Sequence, residues 1–448
     1  MPSVWKQYIH PLDKSKLSNT TQLDSVIIGG GIAGVTLAYL LSQNGHNVTL
    51  IEADKVLSGV TGHTTAHVVS LQGIYKDIHS NKKRKTYFDS QTDAIDGIER
   101  IINEHKIDCD FRRVPGFVFA GEHDKTDLLK EYKVMRKFGA PVQYISNYKT
   151  PFGIYDVISM ENQAVFNPIK YCEVLINNSS FKIIENCRIK KVKLSAKKLK
   201  TEKQTFKYKR IIFATGFPIV NIRGLYAFKM YKSSSYAVCV PTDKKLDAVY
   251  NSMTTDKFTY RDSPDGIIIG GMDHRTGRHK CTTYFDKLKE ESRKFEENIS
   301  HTWSANDSMT FDHVPYAGRM FRFLHKQTYV MTGFGKRGMT NSYACAQIVS
   351  DAIAKKKNPY RKAFKPTRIL NIKVWTKLFW NFILDGLGLI AGGLSTRKRR
   401  CPHMGCRLKF NPNLKSYDCP CHGSRFTEKG DIIVSPAVDA NDTLMEAK

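Results

Sequence analysis

The apolar residues of positions 24–52 fall into three successive patterns. LDSVIIGGG is an apolar run ending in glycines. IAGVTLAYLLSQNG repeats its apolar residues at helical spacing and stops at Gly45. HNVTLIEA is a second run rich in β-branched residues. The spacing predicts strand, tight turn, helix and strand. Residues 83–106 predict a polar helix with Tyr87, Ile95, Ile98 and Ile101 on one stripe. Stretches 109–120 and 141–166 are strand-rich, and Pro168 suits the start of a helix over PIKYCEVLINN (168–178). Three short strand-like runs occupy 181–215. SAKKLKTEKQTFKYK (195–209) reads as a solvated hairpin, and RIIFATG as a buried strand entering a turn. Alternating strands fill 226–270 and close on GIIIGG. Residues 310–355 read as a strand, a Gly-rich turn at 333–338 and a helix to about Ala354. No internal repeat is visible. The order predicts an α/β fold: a discontinuous Rossmann-like domain, interrupted by a mixed antiparallel sheet domain and followed by a small β-rich module.

One later segment changes this picture. Residues 372–394, IKVWTKLFWNFILDGLGLIAGGL, are long enough to span a bilayer, which takes about 20 residues. Lys373, Lys377 and Asp385 interrupt them, and Trp375, Phe379, Phe382 and Ile383 recur at helical spacing. The pattern predicts an amphipathic helix. It either packs between domains, the favoured reading, or lies on a membrane surface through 372–400.

The chain has 448 residues, which suggests two to three domains. Its formal charge of +28 raises the question of an acidic partner. The lysines are spread over the whole length, which points to compositional bias and makes a nucleic-acid partner the unfavoured reading. Cys109, Cys172, Cys187, Cys239, Cys281 and Cys345 are scattered singly, whereas the other four cysteines lie between 401 and 421. A secreted disulfide framework would spread its pairs, so the cluster reads as a local cofactor site. The N-terminus MPSVWKQYIHPLDKSKLS has no apolar signal core, and the expected location is the cytoplasm, with membrane-surface contact as the variant.

Gly29, Gly31 and Gly34 form G-x-G-x-x-G between a predicted strand and helix, and Glu52 ends the next strand. The first glycine permits the turn, the second lets backbone approach a pyrophosphate, and the third allows helix and strand to pack closely. The acid suits ribose hydroxyls. This motif alone leaves NAD or FAD open. Three later features favour FAD. GVTGHTTAH (59–67), with Thr61, Thr64 and Thr65, is placed to meet the pyrophosphate or the ring. Ala214, Thr215 and Gly216 form a second strand-to-turn element. GFGKRGMTN (333–341), with Gly333, Gly335, Gly338 and Met339, opens a helix whose N-terminus suits the negative charge of a reduced flavin.

Cys401-Pro-His403 and Cys419-Pro-Cys-His422 supply two thiolates and two imidazoles, fifteen residues apart. That set suits zinc or a 2Fe–2S cluster with two cysteines on one iron and two histidines on the other. Gly405, Gly423 and Ser424 fit tight loops able to donate hydrogen bonds to cluster sulfurs.

GGGIAG, GVTGHTTAH, NQAVFNP (162–168), ATG, GGMDHRTG (270–277), TWSANDSMTFDHVPYAG (302–318) and TGFGKRGMTNS (332–342) occur in this order. Together they resemble the D-amino-acid oxidase superfamily of FAD-dependent oxidoreductases, and most of all its bacterial branch with a C-terminal Rieske domain. The resemblance covers about 20–360 and 401–438. It implies tightly held FAD and oxidation of a C–N or similar bond. CPHMGC and CPCHGS resemble the Rieske loops, which implies iron on Cys401, His403, Cys419 and His422 and a disulfide between Cys406 and Cys421. A Rieske cluster works at about −150 to +300 mV and accepts electrons readily from a reduced flavin. The strands that usually precede the first loop are not visible, so the module looks shortened. The apolar segment or the flavoprotein surface is then expected to shield the cluster.

The division that follows is an oxidoreductase domain over 20–365, an apolar helical linker over 366–400 and a Rieske module over 401–448. FAD-binding parts are expected at about 20–80, 160–222 and 310–360, and the substrate domain at about 81–159 and 223–309. Candidate catalytic residues are His63 near the flavin loop, Tyr236 and His274 in the sheet domain (with Arg275 beside them), and Lys336 and Arg337 in the last turn. The function expected is oxidation of a small amine or amino acid at FAD, with electrons leaving through the cluster to a one-electron acceptor. The basic run Arg397–Arg400 would steer an acidic carrier such as a ferredoxin or flavodoxin. Two rivals remain: a flavin oxidase using O₂ with a structural or redox-sensing cluster, and a basic nucleic-acid- or membrane-surface-binding protein.

Overall fold

The pattern over 22–52 folds as it reads. Strand Gln22–Ile28 enters a glycine turn, helix Ile32–Gln43 follows, and Val48–Ile51 returns alongside the first strand. The computed structural model describes residues 2–18, 20–253, 257–278, 283–394, 400–441 and 444. Cys281 and the basic residues Arg397, Lys398 and Arg399 lie outside the described residues.

The first sheet runs in the order Tyr316–Arg319, Thr328–Thr332, Thr205–Gly216, Gln22–Ile28, Val48–Ile51, Lys182–Ile184. Its central strands are parallel, and Tyr316–Arg319 is an antiparallel edge. Parallel strands are covered on both faces, which explains the continuous apolar runs SVII and RIIF. Helices Ile32–Gln43 and Gly338–Ile353 cover one face, and Leu23, Val26, Phe206, Ile211 and Phe213 join a second core on the other. The charge-rich hairpin is present as Lys198–Lys200 paired antiparallel with the start of Thr205–Gly216, and Lys191–Lys193 adds a further strand to it.

The second sheet has nine strands in mixed, mainly antiparallel order. It runs from His301–Thr310 through Met230–Val240, Gly266–Arg275, Thr259–Ser263, Val249–Ser252, Arg112–Ala120 and Gly153–Val165 to His67–Val68. Strand Gln143–Thr150 pairs with Gly153–Val165. Sheet membership cuts across the expected ranges. His67–Val68 and the end of Gly153–Val165 belong to this sheet, although they fall in stretches assigned to the FAD-binding part. Helix Asn81–His105 packs on helix Gly338–Ile353, where a Cβ at Gly97 would lie 2.3 Å from the Tyr343 ring, and is also tied to the second sheet, Arg113 pairing with Asp96 and Glu99 at 2.6 Å. A helical apolar stripe shows that a face is buried but not which neighbour buries it.

The C-terminal module is a meander of Lys409–Asn411, Ser416–Asp418, Arg425–Thr427 and Ile432–Val434. Among the described residues no strand precedes its first cysteine loop apart from a single bridge between Arg400 and Arg407. Helix Ile372–Gly393 takes that place. It starts where the Asn371 side chain accepts a hydrogen bond from the Val374 N–H. It then lies so close to the module that a Cβ at Gly388 would be 2.8 Å from Cys421 Sγ, and one at Gly392 2.0 Å from the Gly405 carbonyl.

Candidate functional site

Three turns converge at the carboxyl ends of neighbouring parallel strands, where open α/β sheets bind ligands. At the first, Gly29 has φ +110°, and a Cβ there would sit 2.6 Å from the Ala214 carbonyl oxygen. A Cβ at Gly34 would lie 2.0 Å from the Gly29 carbonyl, so only glycine lets the helix approach the turn. Gly31 caps the helix without a side chain, leaving backbone N–H groups at its start. Thr61 is packed against that start, its Oγ1 accepting from Ile32 N at 2.9 Å. Glu52 Oε2 accepts from Gly30 N at 2.6 Å, and burial pushes its carboxyl upward. This is the spacing and chemistry of a dinucleotide cradle.

The loop after it bridges the two sheets. The His63 carbonyl accepts from Trp303 Nε1 at 3.0 Å, the Thr64 carbonyl accepts from Trp5 Nε1 at 2.7 Å, and the Thr65 methyl lies against Gly270. His63 Nδ1 is 2.8 Å from the Gly59 carbonyl, and burial lowers the imidazole pKa, so His63 is held neutral within its own loop. The second turn follows Thr215, whose Oγ1 donates to the Phe217 carbonyl at 2.7 Å; the Gly216 carbonyl accepts from Thr332 Oγ1. The third turn joins the same place: Gly335 N donates to the Ser308 carbonyl at 3.0 Å, Gly333 packs on Thr310, and Gly338 and Met339 begin the buried helix.

The candidate catalytic residues do not all gather here. Lys336 Nζ donates to Asp273 Oδ1 at 2.7 Å, which ties the third turn to the second sheet. Arg337 folds back onto its own turn, donating to the Gly335 carbonyl at 2.6 Å and the Gln72 carbonyl at 3.2 Å. Tyr236 and His274 are placed elsewhere. Their rings stack with Tyr284 at 4.9 and 4.6 Å, in the core between the second sheet and helix Tyr284–Ser292. Ala237, one residue on from Tyr236, faces the dinucleotide side instead. A strand alternates its faces, so this register turns Tyr236 away from the converging turns. Tyr236 is buried there and His274 half-buried.

The second constellation is built from the two cysteine loops. Cys401 and Cys419 are buried with their sulfurs in contact, a pairing that lowers Cys401 and raises Cys419. The rings of His403 and His422 lie 5.0 Å apart and nearly perpendicular. Burial lowers both, to about 4 for His403 and about 3 for His422, so both are neutral, as ligands must be. Their Nδ1 atoms are buried and find no partner among the described residues. Two orphaned acceptors beside two paired thiols fit a cluster with two Cys and two His ligands. Cys406 and Cys421 form a disulfide. Cys406, Cys419 and Cys421 also lie close enough to suggest a thiolate metal site. The bond between two of these sulfurs leaves them no free thiolates, so the His-containing set is the site.

The outward edges of the two imidazoles are covered by the flavoprotein part. His422 Nε2 lies 3.1 Å from the Ala227 carbonyl, His403 Nε2 lies 2.9 Å from the Asn221 carboxamide, and the Phe217 ring meets His422 edge-on at 6.1 Å. Iron on Nδ1 would leave the proton on each Nε2: that of His422 donates to the Ala227 carbonyl, whereas His403 faces Asn221 Nδ2, and a half-turn of that amide would bring its oxygen round to accept. Arg425, ion-paired to Asp418 at 2.8 Å, donates to Ser234 Oγ at 3.0 Å, and Asn306 Nδ2 donates to the Gly423 carbonyl at 3.4 Å. Phe217, Asn221 and Ala227 follow directly on the Ala214–Gly216 turn. Nothing in the sequence marks them, because their partners lie about two hundred positions further along the chain.

The sequence matches the FAD dependent oxidoreductase family (DAO) over residues 24–352 and the Rieske [2Fe-2S] domain over 379–445. The second match begins inside the apolar helix. A relative in Bacillus subtilis, YhfW, described as a Rieske 2Fe-2S iron-sulfur protein, is 30% identical over an alignment of 489 residues that covers 97% of this chain and 96% of its own. Glycine oxidase from Geobacillus kaustophilus shares the fold at a TM-score of 0.68 and 16% identity, covering 79% of this chain and all of that one. L-proline dehydrogenase from P. horikoshii does so at 0.64 and 19%, covering 77% and 98%. The Rieske match overturns the zinc alternative. The chain belongs to the DAO family of FAD-dependent oxidoreductases and carries a C-terminal Rieske 2Fe–2S domain.

Proposed function

We infer that this enzyme oxidises a small amine or amino acid and hands the electrons, one at a time, to a separate carrier. The oxidation converts a CH–NH unit to C=N, releasing two electrons and two protons. Bound FAD would supply acceptance of the electron pair, and a bound Rieske cluster would supply one-electron steps. Gly31 and the Ile32 helix start are suited to the pyrophosphate, Glu52 to the ribose, and the 59–67 loop with the 333–338 turn to the ring. Lys336 and Arg337 set positive charge at that turn.

The observation that carries the reading is the buried edge of the two histidines. Residues 217–227, which leave the Ala214–Gly216 turn, hold that edge through Phe217, Asn221 and Ala227. A cluster serving an outside partner through its histidines would leave them exposed. An acidic carrier fits the exposed Arg407 and Lys409 beside the disulfide, with Arg400 close by. The solved relatives are named as an oxidase and a dehydrogenase of small amino acids, which supports the substrate class. The test is anaerobic mixing of FAD- and cluster-loaded protein with a panel of amines and amino acids. Flavin bleaching by at least one of them is expected; no bleaching by any, with dithionite still reducing the flavin, would overturn the substrate class.

A further inference from the structure

Helix Ile372–Gly393 buries only a narrow stripe. Val374, Leu378, Asn381, Asp385 and Gly392 face inward. Trp375, Phe379, Trp380, Phe382, Leu387 and Ile390 are each more than half exposed, at 56–63%. Apolar patches beyond a few hundred Å² on a monomer mark an interaction site. The charges on this helix are sorted in the same way. Its one acid, Asp385, is turned inward, 3.4 Å from Arg275 and Arg278 and 2.8 Å from Asn381. Lys373 and Lys377, the charges left outside, are both cationic. The whole chain carries +28, so a second copy would be met by repulsion of like charge. Aromatic residues flanked by lysines suit the boundary of an anionic lipid bilayer, where rings sit at headgroup depth and lysine stems reach outward.

The helix is long enough to cross a bilayer, at about 33 Å for 22 residues. Its seating excludes that course. Asp385 fastens its middle to the flavoprotein part, and Gly388 and Gly392 fasten its end to the cysteine loops. A helix held along its length by water-facing domains lies in the interfacial plane.

We propose that the outer face of helix Ile372–Gly393 seats this protein on an anionic lipid surface. The chain's four tryptophans make the test specific: Trp5 and Trp303 are buried, whereas Trp375 and Trp380 lie on the proposed face. Holoprotein is mixed with vesicles of phosphatidylcholine alone or with phosphatidylglycerol, some carrying brominated chains. Sedimentation with the anionic vesicles, weakened by salt, and quenching of tryptophan emission by bromine are expected. The Trp375→Ser/Phe379→Ser/Trp380→Ser variant should lose binding on the order of tenfold or more while keeping flavin and cluster absorbance. Should that variant not fold, Lys373→Glu/Lys377→Glu should weaken binding to the anionic vesicles alone. Protein that stays in the supernatant with both vesicles overturns the proposal. So does binding indifferent to these substitutions, or a wild-type dimer that the triple variant turns into a monomer without any vesicle binding, which would assign the face to a second copy.

Discussion

At the scale of single residues, the cluster site is held by groups of three kinds. The ligands themselves come first: His403→Ala or His422→Ala should abolish the Rieske electron paramagnetic resonance signal while the flavin stays bound, and a variant that keeps the signal would place the ligand elsewhere. Asn221 is of the second kind. An acceptor for the His403 N–H adds electron density to the ligand and favours the oxidised iron. Asn221→Leu should therefore raise the cluster's reduction potential in an electron paramagnetic resonance redox titration; an unchanged or lowered potential would remove Asn221 from this role. The third kind is the buried pair Arg425–Asp418, 4% and 0% exposed. Arg425→Met leaves Asp418 charged and unpaired in the core at a cost of about 3–5 kcal/mol. Urea unfolding should show that loss in the cluster module first.

At the scale of elements, the sequence made some pieces legible and hid others for definite reasons. Strand, turn, helix and strand over 22–51 were readable because pattern, glycine spacing and Glu52 all follow local rules. The two cysteine loops were readable for the same reason, since a ligand pair lies within each loop. The face that Tyr236 takes is not legible, because the parity of a strand decides it and a register shift between Ser234 and Tyr236 is invisible in one sequence. The docking of Asn221 and Ala227 on the histidines was hidden because contacts so distant in sequence leave no periodic mark. The linker offers a pH prediction. Burial alone would raise Asp312, but Arg368, bonded to it at 2.7 and 2.8 Å, and Lys83 hold it well below the usual carboxylate range. A carboxyl lower in the folded state than its unfolded value of about 3.9 contributes fully above that pH. The contribution is lost as pH falls through the folded value. Asp312→Asn should cost about 3–5 kcal/mol at neutral pH and flatten the loss of stability in acid. A wild-type acid profile in the variant would show that the pair does not anchor the linker.

For the whole molecule, the three parts meet at one place. The parallel sheet brings the Ala214–Gly216 turn to the flavin cradle, the next eleven residues reach the two histidines, and the apolar helix closes the opposite, disulfide side of the module. Among the described residues no strand leads into the module, and that helix and the flavoprotein surface cover it instead. Electron flow between the two cofactors should then be an event within one molecule. The measurement that tests this most directly is anaerobic stopped-flow of loaded protein after reduction of the flavin, following cluster reduction over a range of protein concentrations. The expected result is a first-order rate that does not change with concentration and that slows in Asn221→Leu or Phe217→Ala. A rate that rises in proportion to protein concentration, or a cluster that stays oxidised beside a fully reduced flavin, would contradict it.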